Sequence, residues 1–169
     1  VFATSTGDVR RNALSDFTNV KSNGKIAMKL PDGVSLVNAR IASEDDDVML
    51  ITAEGRAIRF PTTAVRVFKG RDSTGVRGIK LGKTDEVVSM SVIRHFEATP
   101  EERAAYLKMR RAVAGLVDDA EAESDDDEAT ADVALPQERY AEMSAAEDMI
   151  LTITAGGSGK LSSSHDYPV

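Results

Sequence analysis

Ten lysine and arginine side chains lie at equivalent places in two similar stretches of the sequence. They follow a glycine turn or lie in the loop before a third strand-like segment. Cations repeated along one rim are suited to neutralising the phosphates of a nucleic-acid backbone. With 5% aromatic residues and no tryptophan, stacking on single-stranded bases is not favoured. We predict that duplex DNA is bound without sequence preference by Arg10, Arg11, Lys21, Lys25, Arg56, Arg59, Arg66, Lys69, Arg71 and Arg77. An ordinary solvated β surface is the alternative.

The glycine-rich run Gly156-Gly-Ser-Gly-Lys160 has the wrong spacing for a phosphate-binding loop. A Walker motif needs a glycine where this chain has Thr154, and a serine or threonine where it has Leu161. We therefore interpret the run as a hairpin turn rather than a nucleotide site.

No set of residues has the spacing of a catalytic or metal site. The acidic runs Glu44-Asp-Asp-Asp47 and Asp125-Asp-Asp-Glu128 lack the alternation and the glycine of a calcium loop. We interpret the first as a solvated turn and the second as part of a flexible linker. His165 lies among serines but forms no recognisable triad, and the absence of cysteine excludes thiolate chemistry. We expect no catalytic residue, no metal and no cofactor on this chain.

The elements that position the basic residues are repeated. Val48 to Phe60 repeats the pattern of Val1 to Arg10, and Met149 to Leu161 repeats it again, each with a glycine between two strand-like segments. A second landmark, Gly24-Lys-Ile-Ala-Met-Lys-Leu30, recurs as Gly75-Val-Arg-Gly-Ile-Lys-Leu81 at an offset of 51. Short strands with a period of roughly 50 residues indicate propeller-like blades. We predict an all-β fold, with two blades in 1–94 and the start of another in 148–169.

Residues 95–147 interrupt this pattern. Thr99-Pro100-Glu101-Glu102 has the features of a capped helix start, followed by apolar residues at helical spacing through about Val117. Nine acids fall within 118–132, where no apolar residue is larger than alanine, and we expect that segment to be disordered. A second short helix is predicted from Pro136 to about Glu147. The segment 95–147 is thus interpreted as an inserted helix, acidic linker and helix.

Charge is divided unevenly between these parts. The chain of 169 residues carries a net charge of −7, but residues 1–94 carry +4 and residues 95–147 carry −10. The average therefore hides a mildly basic body with an acidic insertion. No apolar run approaches the ~20 residues of a membrane span, so we expect no membrane partner. Because Val1 begins inside a strand-like pattern, we expect the chain to be part of a longer polypeptide.

The segment Val48-Met-Leu-Ile-Thr-Ala-Glu-Gly-Arg-Ala-Ile-Arg-Phe60, followed by Thr74-Gly-Val-Arg-Gly-Ile-Lys-Leu81, resembles the C-terminal domain of the A subunit of bacterial DNA gyrase. The resemblance covers 1–94 and 148–169. The topoisomerase IV counterpart has related blades and is the near alternative, since the Gln-Arg-Arg-Gly-Gly-Lys-Gly box that marks gyrase is absent.

The resemblance implies a β-pinwheel, in which neighbouring blades exchange strands, here as an incomplete ring. It implies that duplex DNA wraps around the basic rim of a cytoplasmic type IIA topoisomerase that introduces negative supercoils. Catalysis, ATP and Mg²⁺ would belong to other parts of that enzyme, in which upstream domains would contact the gyrase B subunit, as well as a second copy of the A subunit. A propeller-like protein-interaction module without a DNA role is the alternative function.

Overall fold

Antiparallel strands dominate unit Val1–His95, whereas two helices and a hairpin form unit Phe96–Pro168. The computed structural model describes residues 1–115 and 135–169. The predicted linker 118–132, and Leu116 and Val117 of the first predicted helix, lie outside the described residues. The strands are β1 (Phe2–Thr4), β2 (Asp8–Arg10), β3 (Leu36–Ala39), β4 (Asp46–Thr52), β5 (Ala57–Pro61), β6 (Val76–Arg77), β7 (Val87–Arg94), β8 (Met149–Ile153) and β9 (Gly159–Ser163). The helices are α1 (Pro100–Val113) and α2 (Gln137–Ala146), with 3₁₀ turns at Leu14–Phe17, Thr62–Ala64 and Ser164–Asp166.

The predicted glycine turns are confirmed, and all three share one geometry. Each hairpin turns at a glycine with a φ of 82° to 84°, a region that side chains other than glycine rarely adopt. The amide of each glycine donates to a threonine carbonyl oxygen three residues earlier, at 3.0 Å: Gly7 to Thr4, Gly55 to Thr52 and Gly157 to Thr154. The same threonine hydroxyls accept the amide hydrogen of the residue after the glycine, at 3.1 to 3.2 Å.

The first two repeats build sheets of the same design. In the first sheet β1 pairs with β2 and β3, and in the second β4 pairs with β5 and β7, all antiparallel. Both sheets have an irregular register at the same place, between Ala3 and Thr4 and between Ile51 and Thr52. Thr4 lies opposite Leu36 and Thr52 opposite Val87, which matches the offset of 51 between the third strands.

Strand exchange links the two repeats. The strand β6 belongs to the second repeat by sequence, yet it pairs with β2 and completes a four-stranded first sheet in the order β3-β1-β2-β6. The amides of Gly78 and Ile79 then donate to the carbonyl oxygen of Gly7. This exchange is the feature that the resemblance to a pinwheel implied. The corresponding stretch of the first repeat, 24–30, forms no strand within the described residues, although its sequence resembles that of 75–81.

The core of unit Val1–His95 lies between the two sheets. It is built mainly from residues of β1, β2, β4 and β7, and in β4 the run Val48–Leu50 is buried without a break, so that both faces of this strand are covered. Its buried members are Ala3, Val9, Val48, Leu50, Val65, Ile79, Val87 and Met90. Beside this core, Arg11, which directly follows β2, forms an isolated bridge with Val67 of the loop after Thr62–Ala64.

Unit Phe96–Pro168 is organised around Tyr106. The predicted helix start is confirmed: the Thr99 side chain accepts from the Glu102 amide, and the Glu102 carboxylate accepts from the Thr99 amide. Tyr106, Leu135 and Met143 form the buried cluster of this unit. Val113, expected on the apolar face of α1, is exposed instead. Among the described residues, the helices are too short and too polar to cross a membrane.

Candidate nucleic-acid interface

A loop of residues 66–71, which we call the basic loop, carries Arg66, Lys69 and Arg71. It leaves the 3₁₀ turn Thr62–Ala64 and leads towards β6. The end of β2 in the first repeat holds it in place: the Phe68 amide donates to the Arg11 carbonyl oxygen at 2.9 Å, and the Asn12 side-chain amide donates to the Phe68 carbonyl oxygen at 2.8 Å. The basic loop of the second repeat is therefore fixed by residues of the first.

Two guanidinium groups lie over the ring of Phe68. The Arg66 guanidinium lies 3.9 Å from the ring centroid of Phe68, and the Arg10 guanidinium lies 4.8 Å from it. Cation–π contacts of this kind orient an arginine as well as attract it. Arg66 is exposed while Arg10 is fully buried, so Phe68 connects a surface cation to a buried one.

Arg10 lies inside the fold and not on its surface. Its Nε donates to the Asn12 side-chain oxygen at 2.9 Å, and its Nη1 donates to the Ser73 carbonyl and hydroxyl oxygens. Desolvation lowers the pKa of Arg10, although the nearby Asp72 opposes that effect. The Arg10 Nη2 is buried without a hydrogen-bond partner among the described residues. Arg10 thus supports the basic loop from beneath rather than offering its charge to a phosphate.

Arg59 is also turned inward. It is 7% exposed, and its Nε donates to the Asp47 carboxylate at 2.7 Å. The other carboxylate oxygen of Asp47 lies 2.7 Å from the His95 Nδ1. Asp47 is fully buried, so the interpretation of Glu44-Asp-Asp-Asp47 as a solvated turn is wrong for its last member. The reason is that Asp47 already lies in β4, where its carboxylate pairs with Arg59 of the neighbouring strand β5.

Arg56 and Arg11 are engaged in ion pairs. The Arg56 Nη2 donates to Asp85 at 2.7 Å, and the Arg11 Nη1 lies 3.5 Å from the exposed Glu44 carboxylate. Desolvation alone would raise the pKa of Asp85, but hydrogen bonds from Arg56 and from the Glu54 amide outweigh it and hold that pKa below its usual value. Each arginine is therefore paired with an acidic residue of its own repeat.

Six of the ten predicted cations stand outside these ion pairs and the buried interior of the described residues. Four of them, Lys21, Arg66, Lys69 and Arg77, are exposed, and two are half-buried. The half-buried pair, Lys25 and Arg71, donates to backbone carbonyl oxygens of the first repeat. Their role in binding stays a prediction, but the structure leaves these side chains available to a ligand.

Two concave surfaces adjoin the basic loop and share Lys69. One, of about 240 Å³, is lined by Lys25, Lys69 and Arg71 together with polar residues of the first repeat. The other, of about 460 Å³, is lined by residues 66–70, 72 and 73. A surface of neighbouring concavities with cations at their rims is suited to a backbone of repeated phosphates.

Asn12 and Phe68, which hold the basic loop, were not among the residues that sequence reasoning selected. A signal was present, because the position five residues after the turn glycine is Asn12 in the first repeat and Phe60 in the second. A polar residue at a position that is apolar in the other repeat indicates a repeat-specific contact.

The remaining candidate residues are the acidic and histidine side chains. In residues 1–115 and 135–169 no group of three acidic, histidine or cysteine side chains could hold a metal ion. His165 is buried, with its Nε2 2.9 Å from the Met143 carbonyl oxygen and its ring edge-on to Tyr106. Those contacts are the packing contacts of a core histidine.

Comparisons with known proteins agree with this architecture. A family model described as DNA gyrase C-terminal domain, beta-propeller, matches residues 1–43, 46–94 and 148–169. The whole chain is 52% identical to the DNA gyrase A subunit of Granulibacter bethesdensis and 40% identical to that of Rickettsia bellii. It spans 19% and 18% of the length of these two relatives.

A solved structure shares the fold at lower identity. The crystal structure of the C-terminal domain of DNA topoisomerase IV matches with a TM-score of 0.52 and 23% identity, over 56% of this chain and 29% of that one. This likeness supports the propeller-like fold alone. The residues matched by the family model are those that form the two exchanged sheets and the β8–β9 hairpin, and the chain belongs to the family of DNA gyrase C-terminal domains.

Proposed function

We propose that this chain binds duplex DNA without sequence preference and wraps it as part of a type IIA topoisomerase of the gyrase type. Membership of the gyrase C-terminal domain family is the observation that carries the proposal. The basic loop supports it, because its backbone is held by Arg11 and Asn12 while Arg66 and Lys69 are exposed. Phosphate contacts position a duplex without reading its bases, which suits a wrapping surface.

In the complete enzyme, wrapping would present a second DNA segment to the cleavage gate with one handedness, so that ATP-driven strand passage introduces negative supercoils. ATP hydrolysis and Mg²⁺ would belong to the gyrase B subunit, whereas DNA cleavage would belong to an upstream domain of the same polypeptide as this chain. The chain would thus act as a binding module within a dimer of A subunits. DNA as the partner also implies a cytoplasmic location.

The test measures the affinity of the intact polypeptide that contains this chain for a fluorescent duplex of arbitrary sequence as salt is raised. If the six available cations each contact a phosphate, the logarithm of the association constant should fall against the logarithm of salt concentration with a slope of about −5. An affinity that stays constant between low and moderate salt would contradict the proposal and favour a protein-interaction module.

Wrapping, as distinct from binding, has its own readout. A nicked circular plasmid ligated in the presence of the intact polypeptide should close with a changed linking number, because wrapped DNA stores writhe. Ligation at high salt, where binding is screened, is the control. If DNA is bound but the linking number is unchanged, the surface binds DNA without wrapping it.

A further inference from the structure

We infer that the smaller concave surface beside the basic loop is a phosphate-binding site shared by the two repeats, which rests on the proposed function. The phosphate site consists of Lys25 from the first repeat and Lys69 and Arg71 from the second, around the concavity of about 240 Å³. Its ligand is a backbone phosphodiester of duplex DNA. One DNA strand would thereby be held across the junction between two repeats rather than by either repeat alone.

The geometry of the concavity favours an anion. Its lining is mainly polar, and Ser15 and Asn19 of the first repeat add a hydroxyl and an amide to the three cationic side chains. An apolar ligand would find little surface to bury there. A phosphate oxygen needs several converging donors, which lysine supplies as a point charge and arginine as a planar fork.

The donors retain capacity for a ligand. Lys25 donates to the Asp16 carbonyl oxygen and Arg71 donates through Nη1 to the Ile26 carbonyl oxygen at 3.1 Å. These bonds use one of three lysine hydrogens and one of five guanidinium hydrogens. Within residues 1–115 and 135–169, Lys69 makes no hydrogen bond or ion pair. The same contacts that fix Lys25 and Arg71 in place therefore leave most of their donors free.

The site is preorganised by contacts that cross the repeat junction. Arg71 bonds to the first repeat at Ile26, and the basic loop that carries Lys69 is held by Asn12, whose side chain also lies 3.4 Å from the Gly70 carbonyl oxygen. The Lys25 Nζ also lies over the ring of Phe17, 5.9 Å from its centroid, which is within the range of a cation–π contact. Groups that are ordered before binding lose less entropy when a ligand arrives.

The site has a single carboxylate, Asp16, and its removal is expected to strengthen phosphate binding. Asp16 lines the concavity, and the nearest donor to its carboxylate is the Asn12 side-chain amide at 3.4 Å. Removing this negative charge should raise affinity for a phosphate without dismantling the site, because asparagine can still accept that hydrogen bond.

The first experiment compares two charge-matched triple variants of the intact polypeptide: K25Q/K69Q/R71Q, and the control K29Q/K80Q/K83Q, whose three lysines are exposed and outside the site. Duplex affinity is measured against salt, with thermal melting as the check on folding. The site variant should have a salt slope shallower by about 3, and the control variant a slope close to the unmodified one. Equal losses in both variants, or none in the site variant, would overturn the shared site while the proposed function stands.

The second experiment uses D16N, with D32N as the matched control in the same repeat. The D16N variant should bind duplex DNA about twofold to fivefold more tightly at low salt, the effect expected of one exposed charge pair. The gain should disappear in the K25Q/K69Q/R71Q background. A gain of the same size from D32N would show that only net charge matters and would refute the site. If the unmodified polypeptide does not bind DNA at all, the proposed function itself fails.

Discussion

The two repeats have the same glycine turn, but the turn of the first repeat is covered by other residues and that of the second is not. Gly7 and Gly55 have φ values of 82° and 83° and identical hydrogen bonds to a preceding threonine. A Cβ atom at Gly7 would lie 2.8 Å from the Ile79 Cγ2 and 3.0 Å from its carbonyl oxygen, whereas one at Gly55 would meet nothing within 4 Å. Local sequence thus sets the backbone of each turn, and the exchanged segment sets what covers it.

The two glycines should differ in how much stability a valine costs. Gly55→Val should cost about 1–3 kcal/mol through backbone strain alone. Gly7→Val adds a collision with the backbone of Ile79, and overpacking of that kind costs a further ~1–3 kcal/mol. Chemical denaturation of the 169-residue chain and of each variant measures the difference in unfolding free energy.

Equal losses of stability at Gly7 and Gly55 would contradict the comparison, because they would mean that the segment after β6 does not cover the first turn. Ile79→Ala in the Gly7→Val background is the informative control. Because Ile79→Ala by itself opens a cavity in the core, the cost of Gly7→Val is measured against the Ile79→Ala single variant. It should be smaller there than in the unmodified chain but not zero, since the Cγ2 contact is gone and the carbonyl contact remains.

Arg11 and Arg59 extend the comparison to charge, since each lies four residues after its turn glycine. Arg59 pairs with the buried Asp47, while Arg11 pairs with the exposed Glu44. Arg59→Met should cost about 3–5 kcal/mol because it leaves a buried carboxylate without its main partner. The ion pair lost in Arg11→Met is worth about 1 kcal/mol or less.

Melting of both methionine variants, with the double variants R59M/D47N and R11M/E44Q as controls, measures this contrast. The D47N change should recover stability in the R59M background because it removes the uncompensated charge. If R59M and R11M lose the same stability, the burial of Asp47 does not distinguish the two repeats.

Much of the fold could be predicted from the sequence because it depends on local signals. The glycine of each turn and the capping box at Thr99 are encoded within a few residues, and the offset of 51 is visible as a repeat of such local signals. The inward orientation of Arg10 and Arg59 could not be predicted, because alternation along a strand does not show whether a partner such as Asp47 or Phe68 lies behind it. Those partners come from segments 12 to about 60 residues away.

We expect the second repeat to lose stability in acid through its Arg56–Asp85 ion pair. Its turn glycine is followed by Arg56, paired with Asp85, whereas the first has Asp8 there. Because the pKa of Asp85 is lowered in the folded chain, the stability from this pair is present above the unfolded pKa of about 4 and is lost as pH falls through the folded value.

Thermal melting between pH 6 and about pH 3 checks this expectation. The Asp85→Asn variant should melt below the unmodified chain at pH 6, and the two melting temperatures should approach each other as the acid is protonated. Asp8→Asn, which removes one carboxylate of the first repeat, is the control for the loss of a charge. A gap at Asp85 that stays constant over this range would show that its pKa is not lowered by folding.

The smallest expected effect compares one cation from each repeat, Lys21 and Lys69. Both side chains are exposed, and changing either lysine to glutamine removes one positive charge. Lys69 lies on the loop fixed by Asn12 and Phe68, whereas Lys21 lies in an exposed stretch.

If Lys21 and Lys69 each contact one phosphate, the electrostatic loss of duplex affinity is about eightfold at ~0.1 M salt for either change. We expect that loss for Lys69→Gln and a smaller one for Lys21→Gln. The backbone around Lys69 is already held, whereas ordering an exposed stretch around Lys21 would cost entropy on binding. Duplex affinity of the intact polypeptide measures both, and a greater loss at Lys21 would show that the first repeat, not the fixed loop of the second, provides the stronger DNA contact.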